Sequence, residues 1–154
     1  MHITWKYLDK RAATIEALRD YHSMQFIIEN TEDAIKERYE RMMSISSPAY
    51  DGMPHVHDPQ SGETRLANSL YQIDVLKERY RQAREYMDWF VPAWKALSDD
   101  ERFCLEEFYW TEEYESRTDA IQTICERLHI ERSSAYNKKN RAINHLKVNL
   151  YGKG

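Results

Sequence analysis

The sequence predicts an all-α protein, and three observations carry that expectation. Glycine and proline number only four each in 154 residues, and three of the prolines (Pro48, Pro54, Pro59) share one stretch. Breakers therefore punctuate the chain once rather than repeatedly. Apolar residues recur three or four positions apart over long segments, as on one face of a helix. Nowhere does polarity alternate with period two over the length of a strand.

Before the break, Trp5, Leu8, Ala12, Ile15, Leu18 and His22 lie on one helical face. Asn30-Thr31, followed by Glu32 and Asp33, reads as a cap for a second helix over about 31–45 with Ile35, Tyr39 and Met42 on one stripe. Two helices, or one helix with a bend, both fit this pattern. The interruption is "SISSPAYDGMPHVHDPQSGET", residues 44–64. After it, Leu66, Leu70, Ile73, Leu76, Tyr80, Ala83, Met87, Phe90, Trp94 and Leu97 form a nearly heptad seam. Such a stripe needs a partner along its length. An N-terminal helix of the same chain would serve, and so would a second copy; the stripe outruns its neighbour, which favours self-association as a dimer. Pro92 is expected to kink or restart this helix.

"SDDE", residues 98–101, is a capping box opening a further helix. Phe103, Cys104, Leu105, Phe108 and Tyr109 supply its apolar face. A polar loop, "TEEYESRT", follows. Thr118 or Asp119 caps the next helix, which buries Ile121, Ile124, Cys125 and Leu128. A three- or four-residue turn leads to a last helix over about 132–150. The expected domains are thus a helical, coiled-coil-like region at 1–97 and a helix-turn-helix domain at 98–154.

Charge sharpens the reading. The net charge is −4. From His129 onward there are six basic residues (Arg132, Lys138, Lys139, Arg141, Lys147, Lys153) against one acid, Glu131, a net of +5; the other 128 residues hold 16 basic and 25 acidic groups, a net of −9. A basic end on an acidic body is the local electrostatic footprint of a nucleic-acid reader. Two short helices and a tight turn, with the second helix basic, match the helix-turn-helix pattern, in which the second helix lies in the major groove of DNA. Arg132, Ser133, Ser134, Asn137 and Lys138 then fall where side chains reach base edges, because Arg, Ser and Asn carry donors and acceptors that match guanine and adenine. Lys139, Arg141 and Lys147 fall further along, toward phosphates. Tyr136 can either pack or reach a phosphate.

These residues resemble a known family. "LSDDERFCLEEFYW" and "AIQTICERLHIERSSAYNKKNRAINHLK" are similar to region 4 of bacterial sigma-70 factors, whose helix-turn-helix reads the −35 promoter element. Leu97, Glu101, Arg102, Leu105 and Tyr109 match its first part. Ile124, Cys125, Glu126, Leu128, Ile130, Arg132, Ala135, Arg141, Ala142, Ile143 and Leu146 match the second. With the "DGMP…DP" linker at 51–59, the whole chain resembles the ArpU/RinA-type phage regulators of late transcription. The resemblance implies a phage or prophage protein that binds double-stranded DNA near morphogenesis or packaging genes, with host RNA polymerase as a further partner. Two positions depart from the pattern. Lys138 occupies a slot that is aliphatic in the family, so its stem packs and its amine snorkels, or the helix is rotated. His129 stands where the turn usually has glycine.

Other readings are weaker. "HVHD" at 55–58 lacks the further ligands of a metal site and reads as polar loop. Acids 99–101 are explained by capping. Trp5, Trp89, Trp94 and Trp110 fall on or near apolar stripes. Cys104 and Cys125 fit reduced core positions. No phosphate loop or nucleophile–base spacing is present, so neither an enzyme nor a cofactor is expected. The longest uncharged apolar run is Met24 to Ile28, too short for a membrane span. No signal peptide is evident, so a cytoplasmic location is expected, in the host cell for a phage protein. Two alternatives remain: a helical protein that binds a host protein such as polymerase or a defence factor, and a DNA-packaging protein of the small-terminase sort.

Overall fold

The computed structural model describes residues 8–46, 59–111 and 117–153, and every element among them is helical. These are α1 (Lys10–Ser46), α2 (Pro59–Lys95), α3 (Asp99–Leu105) running into a π-helical turn (Glu106–Trp110), α4 (Arg117–Leu128) and α5 (Arg132–Tyr151). Trp5, the "HVHD" segment and most of the expected 44–64 and 111–118 loops lie outside the described residues. No helix among them is long and apolar enough to cross a membrane.

Helix α1 starts at an Asp9 cap, whose Oδ1 accepts from the Ala12 N–H at 3.1 Å. It then runs unbroken for 37 residues, which resolves the choice between two helices and one. Asn30-Thr31 is not a cap. The Asn30 amide donates to the Phe26 carbonyl at 2.8 Å and the Thr31 hydroxyl to the Ile27 carbonyl. Each bonds back one turn along the same helix, so neither competes for the N–H groups ahead of it. Helix α2 is also 37 residues long and begins at Pro59, five residues before the expected loop ends. Proline at the first helical position loses no bond, since that N–H has no partner within the helix. Pro92 does not restart the helix, which continues to Lys95 and closes with Ala96 N–H on the Pro92 carbonyl at 3.1 Å.

Packing divides the chain into two compact units, Met1–His22 with Met87–Gly154, and Ser23–Tyr86. The domain boundary expected between 97 and 98 is not tested by this division. In the unit 23–86, Thr31, Ile73 and Ala83 are buried and the Arg38 guanidinium donates to Gln72 Oε1. Exposed pairs such as Glu37–Arg41 and Glu78–Arg81–Glu85 lace its surface. Phe26, Met43, Leu66, Leu70 and Tyr71 remain exposed there. The seam is therefore used inside the chain from Ile73 onward, where Ile73, Ala83, Phe90 and Leu97 are buried, while its first two members are not.

In the other unit, Leu18, Phe90 and Leu97 are buried alongside Cys104 and Leu105. Tyr21 stacks on Trp110 with centroids 4.7 Å apart, Trp94 lies 4.6 Å from Trp110, and the Trp110 indole donates to the Leu18 carbonyl at 2.7 Å. The π-helical turn, closed by Thr111 N–H on the Glu106 carbonyl at 3.1 Å, presents consecutive aromatics to different partners. Phe108 joins the core around Ile124, and Tyr109 lies near the Arg19 guanidinium.

Candidate nucleic-acid interface

Helices α4 and α5 pack on one another and α3 packs on α5. The core beneath them is Cys104, Ile121, Ile124 and Ala135, with Phe103, Phe108, Cys125, Leu128, Ile130 and Tyr136 against it. Ala135 is fully buried; its small side chain keeps the start of α5 close to that core. Both cysteines are free. Burial pushes the Cys104 thiol up to about 11, with Asp100 and Glu101 adding to the rise and Lys138 opposing it, so the thiol stays protonated and inert at neutral pH.

The turn between α4 and α5 is built on His129, which has φ of 54°. The Ile130 N–H bonds back to the Cys125 carbonyl at 3.1 Å, the long bond of a Schellman motif, and Ile130 and Cys125 share the same core. Histidine tolerates this left-handed conformation better than most residues, so the missing glycine does not break the turn. Glu131 then adopts an extended conformation, φ −75° and ψ 159°, as the N-cap of α5, and its carbonyl accepts from Ala135 N–H at 2.9 Å.

Helix α5 is fixed along its length. The Trp89 indole donates to the Leu150 carbonyl at 3.3 Å, Asn149 donates to the Ala93 carbonyl at 3.1 Å, and Arg11 donates to Asn140 Oδ1 at 3.1 Å. Its buried stripe is Ala135, Lys139, Ala142, Ile143, Leu146 and Leu150. On the open side, Arg132, Ser133, Ser134, Asn137 and Arg141 are exposed, while Lys138 and Lys147 are half-buried. The sequence-predicted residues thus separate. Ser133, Ser134 and Asn137 stand in the first two turns with Arg132 beside them, its guanidinium 5.9 Å from the Tyr136 ring. Tyr136 is half-buried and packs against the core.

Of the two neighbouring lysines, Lys139 departs from the sequence expectation. Lys139, expected on a phosphate, is 9% exposed and belongs to the buried stripe. Its ammonium lies 4.1 Å from the Phe108 centroid and 5.7 Å from that of Tyr136. Burial holds its pKa below the usual lysine range, and the charges of Arg11 and Arg117 push the same way. Lys138 stands at the open edge, with its ammonium 3.0 Å from Asp100 Oδ2. The physical reason is the 100° that separates neighbours on a helix. A stripe stepping from 135 to 139 and 142 turns 139 inward and 138 out.

Reading the sequence missed the other side of this edge. An open cleft of about 610 Å³ is lined by Ser134, Asn137, Lys138, Arg141 and His145 of α5, Ile130 of the turn, and Ser98, Asp100 and Glu101 at the start of α3. The His145 Nδ1 lies 2.7 Å from Glu101 Oε2. His145 follows Lys138 and Arg141 at helical spacing, a signal the sequence held. The Ser98 cap is present as expected: Ser98 Oγ accepts from Glu101 N–H at 3.3 Å, and its hydroxyl donates to Glu101 Oε1 at 3.2 Å. The same glutamate therefore caps α3 and meets α5. Among the described residues no cluster of three metal-ligating side chains occurs.

No family model, curated protein or solved structure matches this chain.

Proposed function

We propose that the protein is a sequence-specific DNA-binding regulator of transcription that reads duplex DNA with α4 and α5 as a helix-turn-helix. The observation that supports it most is the start of α5. A row of short polar side chains (Ser133, Ser134, Asn137) and the flanking Arg132 is exposed at the end of a helix anchored by Ala135 below and Trp89 and Asn149 further along. A rigid helix presenting short donors and acceptors in its first turns is what base-edge readout in the major groove requires. Arg141 and Lys147, with Lys138, supply cations for the flanking phosphates, in keeping with the net +5 of residues 129–154. The sequence resemblance to sigma-70 region 4 and to the ArpU/RinA-type regulators is what suggests late phage transcription as the setting. Selection from a pool of random duplexes tests the reading: a recurring short motif should be enriched over successive rounds, and recovery of unenriched sequence would reject sequence-specific recognition.

The protein is proposed to act as a dimer, which suits paired half-sites. The proposed surface is the exposed apolar set Phe26, Met43, Leu66, Leu70 and Tyr71 rather than the whole 66–97 seam, which the chain buries or half-buries from Ile73 onward. Leu70→Asp should shift the protein from dimer to monomer in sedimentation at micromolar concentration, with helix content kept. A native protein that sediments as a monomer would rule this out.

A further inference from the structure

Along the cleft edge of α5, Ser134, Lys138, Arg141 and His145 recur at intervals of four, three and four, so they form one row. Two of the row's groups are already engaged from the other wall. The Lys138 ammonium meets Asp100 at 3.0 Å and the His145 ring meets Glu101 at 2.7 Å. Arg141, between them, has no ion pair among the described residues. Both acids are on the first turn of α3, held there by the Ser98 cap. They are thus fixed features of the wall opposite the row and not loose surface charges that settle anywhere.

We propose that Asp100 and Glu101 compete with DNA phosphate for Lys138 and His145, so that a duplex must displace two internal pairs to settle on α5. This rests on the DNA-reading function proposed above and adds an affinity-limiting role for two α3 residues. The exposure of the groups sets the scale. Asp100 is 56% and His145 47% exposed at the side chain, Lys138 35% and Glu101 22%. Pairs this open to water are weak, and their competition amounts to up to about fivefold in affinity each. The acids therefore act as a brake and not as a lock. Backbone attraction alone is reduced on any sequence, and stable occupancy comes to depend on the base contacts of Ser133, Ser134 and Asn137.

The substitutions Asp100→Asn and Glu101→Gln test this without disturbing the scaffold, since both amides keep side-chain size and glutamine also serves in a capping box. Asp99→Asn is the control: it removes the same charge from the same turn at a carboxylate that is 95% exposed and paired with Arg102. Binding of the full chain to a preferred and a scrambled duplex is measured at two salt concentrations. The double variant should bind both duplexes tighter, by up to about 25-fold at low salt, and the gain should shrink as salt is raised. In a Lys138→Ala background, Asp100→Asn should lose its effect, because the pair it breaks is already gone. The proposal is overturned if the double variant binds no tighter than wild type, or no tighter than Asp99→Asn. If wild type binds and only the variant effect is missing, the competition fails while the DNA-reading function stands. If wild type binds neither duplex, that function fails and the competition with it.

Discussion

Phe90→Ala should be among the most damaging single truncations in the chain, lowering stability by about 3–5 kcal/mol. Phe90 is fully buried, with ring centroids 5.6 Å from Tyr21 and 6.0 Å from Trp94. Its removal loses the transfer energy of the ring and leaves a cavity that two large aromatics cannot collapse into without leaving their partners. Trp94 and Tyr21 both pack on Trp110, and the neighbouring Trp89 holds the C-terminal end of α5. The loss should therefore spread to α5. Against a typical total of 5–15 kcal/mol, the variant is expected to be partly unfolded at 37 °C. Leu66→Ala, at a seam position that is 48% exposed within the chain, should cost under about 0.5 kcal/mol when both variants are compared in the monomeric Leu70→Asp background. Urea unfolding of the two variants checks the contrast; equal costs would mean that the seam is not divided as the burial pattern indicates.

That contrast also marks what could be read from the residues alone. The heptad-like spacing located Ile73, Ala83, Phe90 and Leu97, because a period near 3.5 is set by the chain itself. Which seam members find a partner inside the chain is set by what packs opposite, and the spacing is blind to it. Asn30-Thr31 looked like a cap because the same hydroxyl and amide groups that cap a helix from outside can bond back to a carbonyl within it. The π-helical turn at Glu106–Trp110 has no residue code of its own. At the candidate interface, the turn, Ala135 and the exposed Ser133, Ser134 and Asn137 were legible. The inward choice between Lys138 and Lys139 was not, since one residue of phase decides it and either lysine can snorkel. Asp100 and Glu101 were read as capping residues only, because their second contact depends on how α3 packs against α5.

The second large effect concerns readout. Asn137→Ala should lose roughly 1–3 kcal/mol against the preferred duplex and relax the preference at one base pair, while scrambled duplex is bound nearly as before. Arg141→Ala should weaken both duplexes nearly equally and reduce the salt slope by about one. The difference follows from where sequence information resides: base edges carry it and phosphates do not. Lys139→Met is the internal control. Its side chain belongs to the buried stripe, with the ammonium over the Phe108 and Tyr136 rings. This variant should keep wild-type affinity and slope, and its thermal stability should rise, because burying a methionine carries no desolvation cost. Identical behaviour of Asn137→Ala and Arg141→Ala on both duplexes would exclude the groove-reading pose, and a weakened Lys139→Met would mean that α5 meets DNA on a different face.

The most direct measurement of the central claim is the affinity of the native protein for a duplex as salt is raised. Arg132, Lys138, Arg141 and Lys147 are the cations α5 offers outside its buried stripe. If each neutralises one phosphate, log K should fall against log salt with a slope of roughly −3 to −4 per chain, or about a 100-fold loss between 50 and 200 mM. A slope of that size, reduced by about one in Arg141→Ala, is the expected result; an affinity that stays flat across the same range would contradict DNA binding through α5.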